Sequence, residues 1–453
     1  MRNKRSLLLW LAGVMAVSTL AGCGGTTKSP DKDANAESAK ENVQQKPKEP
    51  VEISIFHYNG TWGEDQNTKV FAEPITKKYP HIKVKAISYT GPKQLEEMVV
   101  SGTLPDLIIT TPGPGFESTI RKFEGQFDLT PLIKQYNYDL NQLDPAAVGS
   151  VRSLSTKNEL FSLPIYMSPN TLYYNKGVFD KFGVAYPKDG MTWDDLYEMS
   201  KKLTRSENGV QYRGFLASYV HLMRLNQVSQ KLFDSTGQKV AFDTSEFKNY
   251  LKDIFRIFEL PGYDMDKISL ESNVHNALFV KDQTVAMIEP GGTLLGEESL
   301  AALGNQWDFI TYPTMKEKPG IGYQPYPFIL SMFNTSKHKE AAFEAMTFLT
   351  SAEFQTAAAK QGTLLPVLND KSIVKLFGQD SSFYKGKNVG ALLPKQFAPV
   401  PAEPFSEFTA TAQNELYNVF RKVVTGKADM NTAFREATEA ANKKIEEIKA
   451  GKK

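Results

Sequence analysis

The chain has 453 residues, with 53 Lys plus Arg against 51 Asp plus Glu, and one cysteine. The near balance removes the basic surface by which nucleic acid or an anionic membrane is recognised, and a lone cysteine excludes an intrachain disulfide or a thiolate metal cluster. Packing alone must hold the fold, and a body of about 400 residues is expected to divide into two or more lobes.

Arg2, Lys4 and Arg5 precede an apolar run, residues 7–20, that ends in Leu20-Ala21-Gly22-Cys23. The run falls short of the ~18 to 20 apolar residues of a membrane span. Its order of charged, apolar and small residues resembles a bacterial lipoprotein signal peptide over residues 1–22, with Leu-Ala-Gly-Cys as the lipobox. The resemblance implies that Cys23 becomes the mature N-terminus and that its sulfur carries diacylglycerol; loss of the three basic residues takes the formal charge from +2 to −1. Residues 23–50 then form the lipidated cysteine and a tether. The stretch 24–50 has one Val and no aromatic residue, so it buries too little apolar area to fold. As a flexible coil it spans roughly 30 Å.

Residues 51–56 alternate apolar and polar and predict the first strand, followed by a loop, His57-Tyr58-Asn59-Gly60-Thr61-Trp62. Helical spacing over 67–78, alternation over 81–86, a helix over 93–101 and a buried strand over 105–110 complete a strand, helix, strand, helix, strand order. That order predicts an α/β lobe with a mainly parallel sheet whose ligands gather at the carboxyl ends of the strands. Farther on, Thr192 is placed to cap a helix that has Asp194 and Asp195 in its first turn, where carboxylates favour the positive end of the dipole. Ala341, Ala345, Phe348 and Leu349 form one core stripe at helical spacing. Phe434, Ala437, Ala441, Ile445 and Ile448 form another.

The segments Glu159-Leu160-Phe161-Ser162-Leu163-Pro164-Ile165-Tyr166, Thr171-Leu172-Tyr173-Tyr174-Asn175-Lys176-Gly177-Val178-Phe179 and Thr192-Trp193-Asp194-Asp195-Leu196 resemble the middle of the family 1 extracellular solute-binding proteins. Phe123 to Pro131, Phe279 with Val285-Ala286-Met287, Ser336-Lys337 with Ala341-Ala342-Phe343, and Gln361 to Val367 follow in the family's order. The resemblance implies a two-lobe, type II periplasmic-binding-protein-like α/β fold with a ligand cleft between lobes joined by three crossovers, near 164–166, 289–293 and 331–334. It places 51–165 plus 291–332 in an N-terminal lobe and 166–290 plus 333–453 in a C-terminal lobe. It further implies a monomeric receptor without cofactor or catalytic residues, which binds a carbohydrate, expected to be an oligosaccharide, and delivers it to the permease subunits of an ABC transporter.

Sugar sites combine aromatic platforms for C–H faces with carboxylates and amides for hydroxyls. Tyr58, Asn59 and Trp62 supply such a mixture after the first strand, with core packing as the other reading of Trp62. Thr111 lies beside Pro112-Gly113-Pro114-Gly115, which lacks the Gly-Lys-Ser/Thr ending of a nucleotide loop. Tyr166 follows the first crossover. Glu289 and Gly292 stand where many relatives carry a Trp. Tyr323 and Tyr326 replace a glycine-rich stretch, as a platform or as plain loop packing.

Two rivals remain. Adjacent tyrosines suggest a ferric-iron site at Tyr173-Tyr174, but neighbours on a regular strand point to opposite faces. A glycan-degrading enzyme needs two carboxylates at a defined separation. Neither zinc-ligand spacing among His57, His81, His221, His275 and His338 nor a Gly-x-Ser-x-Gly elbow supports hydrolysis.

Overall fold

The computed structural model describes residues 48–451 apart from 59–61, 293, 402 and 405. The signal peptide, Cys23, the tether up to residue 47 and Asn59 lie outside the described residues. Ten strands are present among these: β1 (Val51–His57), β2 (Ile82–Ile87), β3 (Leu107–Thr110), β4 (Ser162–Met167), β5 (Leu172–Asn175), β6 (Arg205–Glu207), β7 (Val210–Ala217), β8 (Val285–Glu289), β9 (Trp307–Ile310) and β10 (Pro327–Met332). They form two five-stranded sheets, in the orders β2-β1-β3-β10-β4 and β6-β7-β8-β5-β9.

In the first sheet β1 runs parallel to β2 and β3, pairing Ile53 with Val84 and Ile55 with Leu107. β3 is the central strand, and the unbroken Leu107-Ile108-Ile109 run is buried on both faces, as a strand covered on both sides requires. β10 returns antiparallel between β3 and β4. In the second sheet β7 and β8 are parallel, while β5 is antiparallel to both β8 and β9. Each sheet carries its own apolar core, and together they make the type II two-lobe α/β architecture.

The lobe boundaries differ from the expectation. β9 pairs with β5, Tyr173 opposite Phe309, so the chain stays in the second lobe after Glu289 instead of crossing near 289–293. It crosses only at Tyr326, into β10. The helices Lys339–Leu349 and Ala352–Lys360 then bury Phe343, Met346, Leu349 and Phe354 against the first core, not the second. Leu365 bridges to Met167, and Val367 and Leu368 enter the second core. The three passages therefore lie at 168–171, at Tyr326–Pro327 and near Leu365. The physical reason is strand pairing: a fully buried Trp307-Asp308-Phe309-Ile310 needs a sheet partner for its main-chain groups, and β5 offers one.

Local expectations fare better. Thr192 caps Trp193–Leu203, its hydroxyl accepting from Asp195 N at 3.2 Å while the Asp195 carboxylate accepts from Thr192 N at 2.8 Å. The last helix, Met430–Gly451, buries Phe434, Ala437, Ala441 and Ile445, and leaves Ile448 at 38% exposure.

Candidate ligand-binding cleft

The first lobe contributes an aromatic wall. Tyr166 on β4 and Phe328 on β10 are register partners in adjacent strands, and their rings stack at 4.4 Å with 14° between planes. Trp62, at the end of the loop after β1, lies parallel to Tyr166 at 6.2 Å and 3°. A buried hydrogen-bond chain fixes this arrangement. The Asn67 amide donates to Trp62 O at 3.3 Å, which leaves its oxygen to accept from His57 Nδ1 at 2.9 Å. His57 Nε2 is then the acceptor for the Tyr166 hydroxyl at 3.2 Å. Burial pushes the His57 pKa down to about 4 against the raising effect of Asn67, so the imidazole is neutral at pH 7. Facing this wall is a cavity of about 290 Å³ bounded on the second lobe by Leu294, Glu297, Phe383 and Tyr384, with Ser168 and Gly292 between them.

The second lobe contributes loops. Gly291 and Gly292 have φ of +84° and +68°, a left-handed pair that only glycine adopts readily. Their amides turn inward and donate to one Glu289 carboxylate oxygen at 2.7 and 3.0 Å, while Ser218 N donates to the other at 3.2 Å. Burial raises the Glu289 pKa to about 7 despite these bonds. Glu289 was expected to meet ligand, but it is wholly buried and its oxygens are spent on the loop's own backbone. It is a loop anchor. A Cβ on Gly292 would lie 3.0 Å from both Ser168 Oγ and Asn170 Oδ1 and 3.3 Å from Tyr326. Ser168 donates to Gly292 O.

Tyr326 separates this cavity from a second one of about 170 Å³, walled by Gly113, Pro114, Ser150 and Ser153 of the first lobe and by Arg224, Asn226 and Gln324 of the second. The Arg224 guanidinium sits over the Tyr326 ring at 4.6 Å.

Of the expected site residues, Trp62, Tyr166 and Gly292 line the larger cavity and Tyr326 the smaller. Three others line neither. Tyr58 packs edge-on against Phe56 and Tyr89, at 5.9 and 5.1 Å. The Thr111 carbonyl accepts from Phe116 N at 2.8 Å, and its hydroxyl crowds the place of a Gly115 Cβ at 2.4 Å. Tyr323 is in the second core between Tyr312 and Phe397, at 5.5 and 5.6 Å. Phe328, Phe383, Tyr384, Glu297 and Arg224 were not anticipated. Only Phe328 left a trace, as the apolar partner that an antiparallel strand beside β4 must place opposite Tyr166.

Tyr173 and Tyr174 are both buried, on opposite faces of β5. The Tyr173 hydroxyl accepts from Leu295 N at 2.9 Å and the Tyr174 ring packs edge-on to Phe179 at 5.8 Å. Both serve the core.

The same fold recurs in known proteins. An ABC substrate-binding protein from Listeria monocytogenes, solved in complex with cycloalternan, superposes with a TM-score of 0.67 at 19% identity, covering 88% of this chain and 99% of that one. An uncharacterized ABC transporter extracellular-binding protein of Pyrococcus horikoshii is 28% identical over 218 residues, 46% of this chain and 45% of its own length. A mannitol-binding protein of Pseudomonas aeruginosa is 27% identical over 324 residues, 68% of this chain and 70% of its own. Residues 62–356 match the family model for bacterial extracellular solute-binding proteins. That match takes in the aromatic wall, the Glu289 loop and Tyr326, and with it the chain belongs to the bacterial extracellular solute-binding protein family, whose members bind solutes and are not enzymes.

Proposed function

We propose that the protein is a saccharide receptor: monomeric, held at the extracytoplasmic face of the cell membrane by lipid on Cys23, and delivering its ligand to the permease subunits of an ABC importer. The observation that carries this reading is the Trp62–Tyr166–Phe328 stack facing Ser168, Gly292 and Glu297 across a cavity. Ring faces take the apolar C–H faces of a sugar, and the polar groups opposite take its hydroxyls. Relatives named for mannitol or solved with cycloalternan support a carbohydrate over a metal ion. Because the two walls belong to different lobes, a ligand touching both favours closure about the three passages.

A thermal-shift screen against mono- and oligosaccharides tests the reading, since a ligand at 100 times its dissociation constant stabilises by about 2.7 kcal/mol. The radius of gyration from solution scattering should shrink with the hit; an unchanged radius would remove the closure mechanism. Cys23→Ser should abolish lipid attachment. Normal mature size and normal membrane retention in that variant would refute the anchor.

A further inference from the structure

The smaller cavity holds a charge that the protein leaves uncompensated. Arg224 ends the helix Tyr219–Arg224, and among the described residues no carboxylate lies within ion-pair distance of it. The two carboxylates that share its cavity are engaged elsewhere. Glu117 pairs with Arg121 at 2.9 Å, and Glu403 accepts from Leu232 N and Phe233 N at 2.7 and 3.0 Å. Tyr326 covers one face of the guanidinium and interacts with it through its hydroxyl, with Tyr417 also nearby, but neutral phenols are a weak substitute for a counter-ion.

The unsatisfied atoms are Nε and Nη2, both buried and without a hydrogen-bond partner. These two nitrogens present parallel N–H bonds along one side of the guanidinium plane, the fork that a carboxylate accepts with both oxygens. A buried cation with an empty fork is costly to the free protein, and the cost is recovered when an anion fills it. First-lobe residues Gly113, Pro114, Ser150 and Ser153 form the facing wall, so parting of the lobes opens the way in.

We propose that Arg224 receives a carboxylate of the bound solute, which makes the ligand an acidic saccharide such as a uronate oligosaccharide. Its sugar rings lie along Trp62 and Tyr166 and its acid passes Tyr326 to reach the fork. This rests on the saccharide reading above, and it adds the charge and position of the group that selects the ligand.

Calorimetry on the purified protein tests it with four probes: a galacturonate trisaccharide, the matching neutral galactose trisaccharide, galactose 6-phosphate and glutarate. The expected result is that the acidic trisaccharide binds about ten- to a hundred-fold tighter than its neutral twin, a charged hydrogen bond's effect. R224M should erase that preference while leaving the neutral sugar's affinity within about threefold, and R224K should keep part of it. In the ligand-free protein R224M should raise the melting temperature, because it removes an unpaired buried charge; a purely structural arginine would lower it. Equal affinity for the two trisaccharides overturns the proposal and leaves the saccharide reading standing. Glutarate binding that R224M abolishes, without binding of any sugar, keeps the Arg224 fork and overturns the saccharide reading. A preference for galactose 6-phosphate over the uronate overturns the carboxylate, and no binding in the panel overturns both.

Discussion

The two walls of the cleft are built on different principles. The first-lobe wall stands on sheet strands, and its polar atoms are spoken for: Tyr166, His57, Asn67 and the Trp62 carbonyl satisfy one another in a closed chain. The second-lobe wall stands on loops, and it leaves polar atoms open. Arg224 Nε and Nη2 are buried without partners, and the nearby glycine pair is held by the Glu289 carboxylate and the Ser168 hydroxyl. A satisfied aromatic platform offers affinity to any molecule with an apolar face. An unsatisfied polar wall discriminates, because a ligand that fails to fill it leaves those groups as costly as before. On the proposed saccharide reading, the comparison predicts affinity from the first lobe and selectivity from the second.

The largest expected break comes from Tyr166→Ala. The ring is buried between Trp62 and Phe328, and truncating a buried aromatic residue costs about 3 to 5 kcal/mol of stability. Denaturant unfolding should show that loss together with weaker binding of every ligand. Tyr166→Phe keeps the stack and leaves only His57 Nε2 without its partner, for roughly 1 kcal/mol. If Tyr166→Phe cost as much as Tyr166→Ala, the hydrogen-bond chain and not the stack would define the wall.

Titration separates His57 from Glu289 by sign. His57 is held neutral, its pKa lowered to about 4 by burial. The unfolded chain binds its proton first, so stability is lost as pH falls from 6.5 towards 4. His221, pushed down to about 3 by burial and then by Arg224, adds to the same acid-side slope. Glu289 runs the other way. With its pKa raised to about 7 by burial, the folded state holds a proton that the unfolded chain releases above 4.5, so stability is full below that value and declines as pH rises through 7. Each window is worth about 3 kcal/mol at ~1.4 kcal/mol per unit. Glu289→Gln should flatten the decline between pH 5 and 8 relative to the parent, on top of a constant loss because one of its two carboxylate acceptors becomes an amide NH2 that meets backbone N–H donors. His57→Gln should flatten only the acid side. Melting curves across pH check both, and an unchanged slope in Glu289→Gln would mean that the loop carboxylate is ionised throughout.

The same division governed what the chain revealed before folding. Strand alternation at β1 and β2, the apolar run of β3, the Thr192 cap and the stripes of the last helix are local patterns, and each formed within a residue or two of its expected place. Trp62 was legible because its loop follows a recognisable strand, and Tyr166 because the family resemblance puts it beside a crossover. The second wall was not. Glu289 reads as a sugar-binding acid until the positive φ values of Gly291 and Gly292 turn their amides onto it, and no periodicity encodes that turn. Tyr323 and Tyr326 are three residues apart, yet one lies in the core and the other lines a cavity. Residues 291–326 lie in the second lobe and not the first because β9 finds its partner in β5, a pairing between segments more than 130 residues apart, whereas 327–332 form β10 in the first sheet as expected.

The smallest expected effect is the sharpest for the comparison. Trp62 is only partly buried and packs on Tyr166 and Phe71, the latter at 5.8 Å and 24°. Trp62→Ala should therefore cost the fold little and ligand binding about 1 to 3 kcal/mol, the loss typical of an aromatic anchor. Because the platform contacts C–H faces without regard to charge, the loss should be the same for neutral and acidic saccharides. R224M should take its loss from the acidic ones alone. Calorimetry on the Trp62→Ala and R224M proteins and on the double variant measures this directly: additive losses assign the two walls to separate parts of the ligand, whereas a ligand-dependent loss at Trp62 would mean that aromatic stacking and acid recognition act on the same sugar ring.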